Sequence, residues 1–175
     1  MKTTKKGFTL IELIVVIAII GVLAALLVPQ MLGYVKKSKI SKAETACSSI
    51  QKGTDAALTD LLAKTGNVYP GTMNGWHEIY NGTIAATDIQ IGDVASGVGE
   101  YFELSKVGSG AVCLYQGSCV GVVCTVDGTY WGTWPTGLIT AKNHDDNDSL
   151  TEAIALVSGD VGVTKCPNSL GHAKP

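Results

Sequence analysis

The sequence contains no arginine, and its 13 basic residues are all lysine. Without a planar guanidinium there is no bidentate grip on phosphate oxygens or guanine edges. The formal net charge of -2 adds no basic field to attract a polyanion, so nucleic acid is not an expected partner. Histidine is scarce too, with only His77, His144 and His172, far apart along the chain. No GxSxG, HExxH or Walker A loop accompanies them, so there is no nucleophile-and-base constellation and no enzymatic activity is expected. The five cysteines, Cys47, Cys113, Cys119, Cys124 and Cys166, include no CxxC pair. That excludes the zinc-ribbon and thioredoxin patterns.

Charge is also missing from one long stretch. From Phe8 to Val28 the single ionisable side chain is Glu12, and a helix of that length crosses about 30 Å of hydrocarbon. A short basic segment, Met1 to Gly7, precedes the run, and Pro29-Gln30-Met31 closes it. A secretory signal has a shorter apolar core and a small-residue cleavage site at its far end. Here the pattern puts cleavage ahead of the apolar run, at Gly7. Lys36, Lys37, Lys39 and Lys42 balance the leader lysines, so charge alone does not orient the helix. A carboxylate inside such a span costs roughly 3 kcal/mol on insertion scales and calls for a compensating partner.

The stretch Lys6-Gly7-Phe8-Thr9-Leu10-Ile11-Glu12 resembles the prepilin peptidase site of type IV pilins and of the pseudopilins of type II secretion and competence systems. The resemblance implies cleavage after Gly7 and methylation of the new amino terminus at Phe8. It further implies that Glu12 pairs with the amino terminus of a neighbouring subunit in a filament, where low dielectric strengthens the attraction. The partners it implies are a prepilin peptidase, an inner-membrane assembly platform, lipid before assembly, and further copies of the chain. The location it implies is the bacterial cytoplasmic membrane for the precursor, then an extracellular filament. Loss of the leader lysines would leave the exported part acidic.

Beyond Pro29 the pattern turns amphipathic. Ala43, Cys47, Ile50, Ala57, Leu58, Leu61 and Leu62 recur at helical spacing, while Lys42, Glu44, Lys52 and Asp55 point elsewhere. The helix should reach about Lys64 before Gly66-Asn67 stops it, a rod of about 85 Å if continuous. Pro29 lacks the helical N–H, so a kink or a locally melted segment is expected between Gly21 and Gly33. The expected divisions are a leader at 1–7, a membrane and filament-core helix at 8–28, an amphipathic half at 29–65 and a β-rich head at 66–175.

In the head, residues 67–110 read as a variable connection with short helical turns. Antiparallel strands are expected at 111–115, 119–126 and 129–134, with turns at Gln116-Gly117-Ser118 and Asp127-Gly128, and a fourth strand at 161–166. Ser149 and Glu152 form a capping box for a short helix carrying Leu150, Ala153, Ile154 and Val157 on one face. The fold class is α+β: a long N-terminal helix packed on an antiparallel sheet of about four strands.

The cysteines suit an oxidising destination with up to two disulfides. Cys113 and Cys119 would sit diagonally on one face, too far apart for a bridge without an irregular turn. Period two puts Cys124 on the opposite face. A Cys124–Cys166 bridge closing a C-terminal loop, as in many pilins, is the preferred pair. Cys47 is then the spare thiol or the partner of Cys113 or Cys119.

Asp145, Asp146 and Asp148 offer hard oxygen ligands for calcium but lack the spacing of an EF-hand loop. No cofactor is assigned to them. Tyr130, Trp131 and Trp134 are candidates for stacking on sugar rings, although aromatics in strands more often pack in the core. Two alternatives to a pilin remain: a pseudopilin, favoured by the acidic run, and a membrane-displayed carbohydrate-binding module.

Overall fold

The computed structural model describes residues 7–66, 74–80, 83–84, 89–140, 142–146 and 149–159. The chain divides into two compact units, one up to Lys36 and one from Lys37 onward. Helix α1, Leu10–Lys64, contributes to both.

In the first unit every residue from Phe8 to Val35 is exposed, including Phe8, Leu10, Ile11, Leu13 and Ile14. None of the described residues covers this apolar surface, which is long and apolar enough to cross a membrane. The α-helix is unbroken from Gly21 to Gly33 despite the internal Pro29. The expected melted segment is therefore absent: the missing proline N–H removes one bond, but the turns on either side hold their own.

In the second unit the remaining part of α1 buries one stripe: Ile40, Ala43, Ala46, Cys47, Ile50, Gly53, Thr54, Ala57, Leu58 and Leu61. Burial of an Ile or Leu side chain contributes about 1.5–3 kcal/mol, and Ile50 and Leu58 are fully enclosed. Leu62, expected in the stripe, is only partly covered.

The sheet contains β1 (Gly75–Tyr80), β2 (Thr83–Ile84), β3 (Ser109–Tyr115), β4 (Ser118–Thr125) and β5 (Trp131–Trp134), all antiparallel, in the order β2-β1-β3-β4-β5. Four strands are full length, and β2 is a two-residue extension beside β1. The meander β3-β4-β5 matches the sequence expectation. Strand β1 and helix α2 (Ile89–Tyr101) lie where a variable connection was expected. The expected strand at 161–166 lies outside the described residues.

Two cores cover the two faces of the sheet. One joins Cys47, Ile50, Leu58 and Leu61 of α1, Val94 and Val98 of α2, and Ile79, Val112, Leu114, Val122 and Cys124 of the sheet. The other joins Trp76, Ala111, Cys113, Val123 and Trp131 to Ala153, Ile154 and Val157 of helix α3, Leu150–Gly159. The capping box of α3 forms as read. Ser149 Oγ donates to Glu152 Oε2 at 2.7 Å, and Glu152 N–H donates back to Ser149 Oγ at 3.3 Å.

Helix α2 approaches α1 through glycine. A Cβ at Gly97 would lie 2.8 Å from the Ala57 Cβ, and Gly53 on α1 faces Val98 and Tyr101. The turn between β3 and β4 has two residues, Gln116 at φ 49 and Gly117 at φ 84, both in the left-handed region a tight hairpin needs. Tyr115 pairs with Ser118, not with Cys119. The connection after β4 is longer than a two-residue hairpin. Asp127 Oδ1 accepts hydrogen bonds from the N–H groups of Thr129 and Tyr130, and β5 starts only at Trp131.

Candidate functional site

Glu12 stands in the first turn of α1. Gly7 and Phe8 precede the helix in exposed, non-helical backbone. Thr9 is the N-cap: its backbone N–H donates to Glu12 Oε2 at 2.8 Å and its hydroxyl to the same oxygen at 2.6 Å. The Glu12 N–H points back to Thr9 Oγ1 at 3.4 Å. This is a capping box of the Thr-x-x-Glu kind, which satisfies donors that a helix start leaves unpaired. Sequence reasoning treated Glu12 only as a charge seeking a partner. The signal for the cap was present in Thr9 three residues earlier. Among the described residues no cation lies against the carboxylate. The helix dipole favours an acid in this first turn, yet a full negative charge beside Leu10, Ile11, Leu13 and Ile14 has no counter-ion among the described residues.

The cysteines depart from the expected arrangement. The pairing of β3 with β4 shifts between Cys113, opposite Gly121, and Leu114, opposite Cys119. Val120 is the extra residue of a β-bulge, and one extra residue inverts the alternation of side chains. Cys119 and Cys124 consequently share the face covered by α1, while Cys113 belongs to the α3 face. Cys113 is disulfide-bonded. Cys47, Cys119 and Cys124 carry free, buried thiols, so the Cys124–Cys166 bridge is corrected at the Cys124 end: that side chain faces α1. Cys166 lies outside the described residues. Cys47 is no partner of Cys113 or Cys119; its neighbour is Cys124.

The three aromatics are not presented together at the surface. Trp131 is buried in the α3-side core, and Trp134 packs on the α1-side core. Tyr130 is half-buried, 5.2 Å from the His144 ring and with the Lys39 ammonium 5.0 Å from its ring centre. Lys39 also pairs with Asp127 at 3.1 Å. Burial pushes the Asp127 carboxyl up, but the Tyr130 and Thr129 amides and Lys39 outweigh it and hold the group below its usual value.

In the acidic run, His144–Asp146 form a short 3-10 turn. His144 is buried with its Nδ1 3.0 Å from Asp145 Oδ1, and Asp145 is exposed. Asp148 lies outside the described residues, among which no three His, Cys, Asp or Glu side chains gather to hold a metal ion.

Comparison with known proteins starts at the same N-terminal stretch. Residues 2–28 match the family described as the prokaryotic N-terminal methylation motif. A type IV major fimbrial protein of Dichelobacter nodosus is 42% identical over 60 residues, covering 34% of this chain and 38% of that protein. Fimbrial protein Q of Moraxella bovis is 32% identical over 151 residues, 76% of this chain and 96% of its own length. A type IV major pilin of Neisseria gonorrhoeae is 32% identical over 134 residues, 77% of this chain and 64% of that protein. The chain thus spans little more than a third of the D. nodosus protein and nearly all of the M. bovis one. No solved structure matches. The motif at the helix start, the apolar first unit and a match running nearly the whole length of a fimbrial protein agree: the chain belongs to the type IV pilin family.

Proposed function

We propose that the chain is the structural subunit of a type IV pilus filament, cut after Gly7 by a prepilin peptidase, methylated at Phe8, and polymerised through its N-terminal helix. The observation that carries this reading is the uncovered, largely apolar surface from Phe8 to Val35, in which Glu12 is the one charged side chain. Such a surface needs lipid or other copies of itself, and the precursor and the filament supply these in turn. The non-helical backbone at Gly7 and Phe8 supports peptidase access. The names of the fimbrial relatives support the filament.

In this reading Glu12 stays in the membrane capped by Thr9. It gains a full counter-charge when the methylated amino group of the adjacent subunit's Phe8 comes alongside. A helix packed against copies of itself hides the leucine, isoleucine and valine side chains on every side. The inner-membrane assembly platform draws subunits from the bilayer, and the head, with its two cores, becomes the filament surface. No residue cluster among the described residues supports catalysis, and the protein acts by assembly.

Immunogold electron microscopy and intact mass of the purified subunit test the proposal together. Surface filaments that react with antibody to the head, and a mass beginning at N-methylated Phe8, are expected. A mass that retains Met1–Gly7, or labelled cells without filaments, would reject it.

A further inference from the structure

Cys47 on α1 and Cys124 on β4 bring their sulfur atoms within 2.6 Å of each other across 77 residues of chain. Neither is exposed. The remaining contacts of the two sulfurs are to backbone carbonyls: Cys47 Sγ to Gly132 O at 3.2 Å and Cys124 Sγ to Ala43 O at 3.4 Å. Their proximity is built into the fold by Gly132 on β5. A Cβ there would overlap the Glu44 nitrogen and the Ala43 carbonyl carbon and lie 2.8 Å from the Ala43 Cβ. Only glycine lets the helix backbone settle this close to the sheet, and the settled helix sets Cys47 directly on Cys124.

On the opposite face of the same sheet Cys113 is already disulfide-bonded, a bond that persists in an oxidising compartment. We propose that Cys47 and Cys124 are joined by a second disulfide in the exported chain, fastening α1 to the sheet. This rests on the export reading above. The remaining free thiol of the α1-side core, Cys119, donates to the Gly121 carbonyl at 3.6 Å and stays reduced.

The oxidant is a protein disulfide of the thiol-oxidase class. One cysteine thiolate attacks a sulfur of that disulfide, breaking its S–S bond and forming a mixed disulfide. The second thiolate then displaces the oxidant, which leaves as a dithiol carrying the two electrons and two protons lost by the pair. Burial raises the Cys47 thiol well above its ordinary value, so the thiolate is not available once the helix is seated. Exchange therefore precedes closure of α1 on β4. Closing a loop this long restricts the unfolded chain strongly.

Subunits sheared from cells as filaments, denatured in iodoacetamide without reductant and mapped by mass spectrometry, test this without any mutation. The expected result is a cross-linked peptide pair containing Cys47 and Cys124, with Cys119 alkylated. Alkylated Cys47 and Cys124 beside a bridged Cys113 would overturn the inference and leave the export reading intact. Alkylation of all five cysteines would overturn both. Subunit made in a reducing cytoplasm serves as the control and should show Cys47 and Cys124 alkylated.

Discussion

Thr9 and Glu12 are locked in a reciprocal cap: both donors of Thr9 go to one oxygen, Oε2, of Glu12. The carboxylate therefore has two separable properties, a hydrogen-bonding role within its own helix and a charge that no cation among the described residues neutralises. In the proposed function a monomer in the membrane needs the first, and a filament uses the second. The arrangement also fixes the carboxylate near the helix start, four residues from Phe8, the amino terminus that the proposed cleavage would create.

The capping role predicts a limited phenotype for Thr9→Val. The substitution removes the hydroxyl while keeping bulk and charge, and loss of an N-cap costs about 1 kcal/mol. Amide exchange at Leu10 to Leu13 should accelerate in detergent micelles, and filaments should still form. Loss of filaments as complete as that caused by Glu12→Ala would mean that the cap, rather than the charge, is what assembly needs.

Gly132→Ala should loosen the seating of α1. The new methyl group has backbone atoms of Ala43 and Glu44 in its way, and overpacking of this kind costs roughly 1–3 kcal/mol. A fall of several degrees in the melting temperature of the head is expected, set by that cost and the size of the domain. An unchanged melting temperature would show that the helix can lift off the sheet at little cost.

Trp131→Ala should act on stability and not on ligand binding. The indole is 6% exposed within the α3-side core, and deletion of a buried tryptophan costs about 3–5 kcal/mol. Chemical denaturation should show that loss, while a glycan array should give no signal for either protein. Specific glycan binding abolished by Trp131→Ala at unchanged stability would restore the display-module alternative.

The Asp127 carboxyl, held below its ordinary value of 3.8, links stability to pH. A depressed folded value means that the unfolded chain binds protons first. The contribution is present above the unfolded value and is lost as the pH falls through the folded one. Asp127→Asn should therefore lower the melting temperature at neutral pH and converge with the parent protein at a pH below the folded value, where both lack the charge. An equal deficit at both pH values would assign the effect to packing around Thr129 and Tyr130 instead.

Some of this was legible in the sequence and some was not, for physical reasons. Ser149 and Glu152 announced α3 because a capping box followed by apolar residues at helical spacing is a local signal. The same motif at Thr9 and Glu12 went unread because the cost of a charge in lipid dominated the reasoning there. The strands β3, β4 and β5 showed in their β-branched runs, but the bulge at Val120 did not, since nothing in a strand pattern marks one extra residue. That single residue moved Cys119 off the face of Cys113 and onto that of Cys124, while the bridge assignment failed because Cys124 packs against Cys47 of α1. Helix α2 carries Gly92, Gly97 and Gly99, which weaken its helical signature. Gly97 is there because Ala57 leaves no room for a side chain, a constraint visible only across two helices. Strand β1, amid glycine and asparagine, became a strand through pairing with β3, a tertiary cause.

Glu12→Gln separates the two roles of the residue at the helix start. Glutamine still accepts the Thr9 hydrogen bonds but carries no charge to pair with the adjacent subunit's amino group in the proposed filament. Surface filaments counted by immunogold microscopy should fall to background, with normal membrane insertion and leader removal in the same cells. Wild-type numbers of filaments on cells carrying Glu12→Gln would contradict the account.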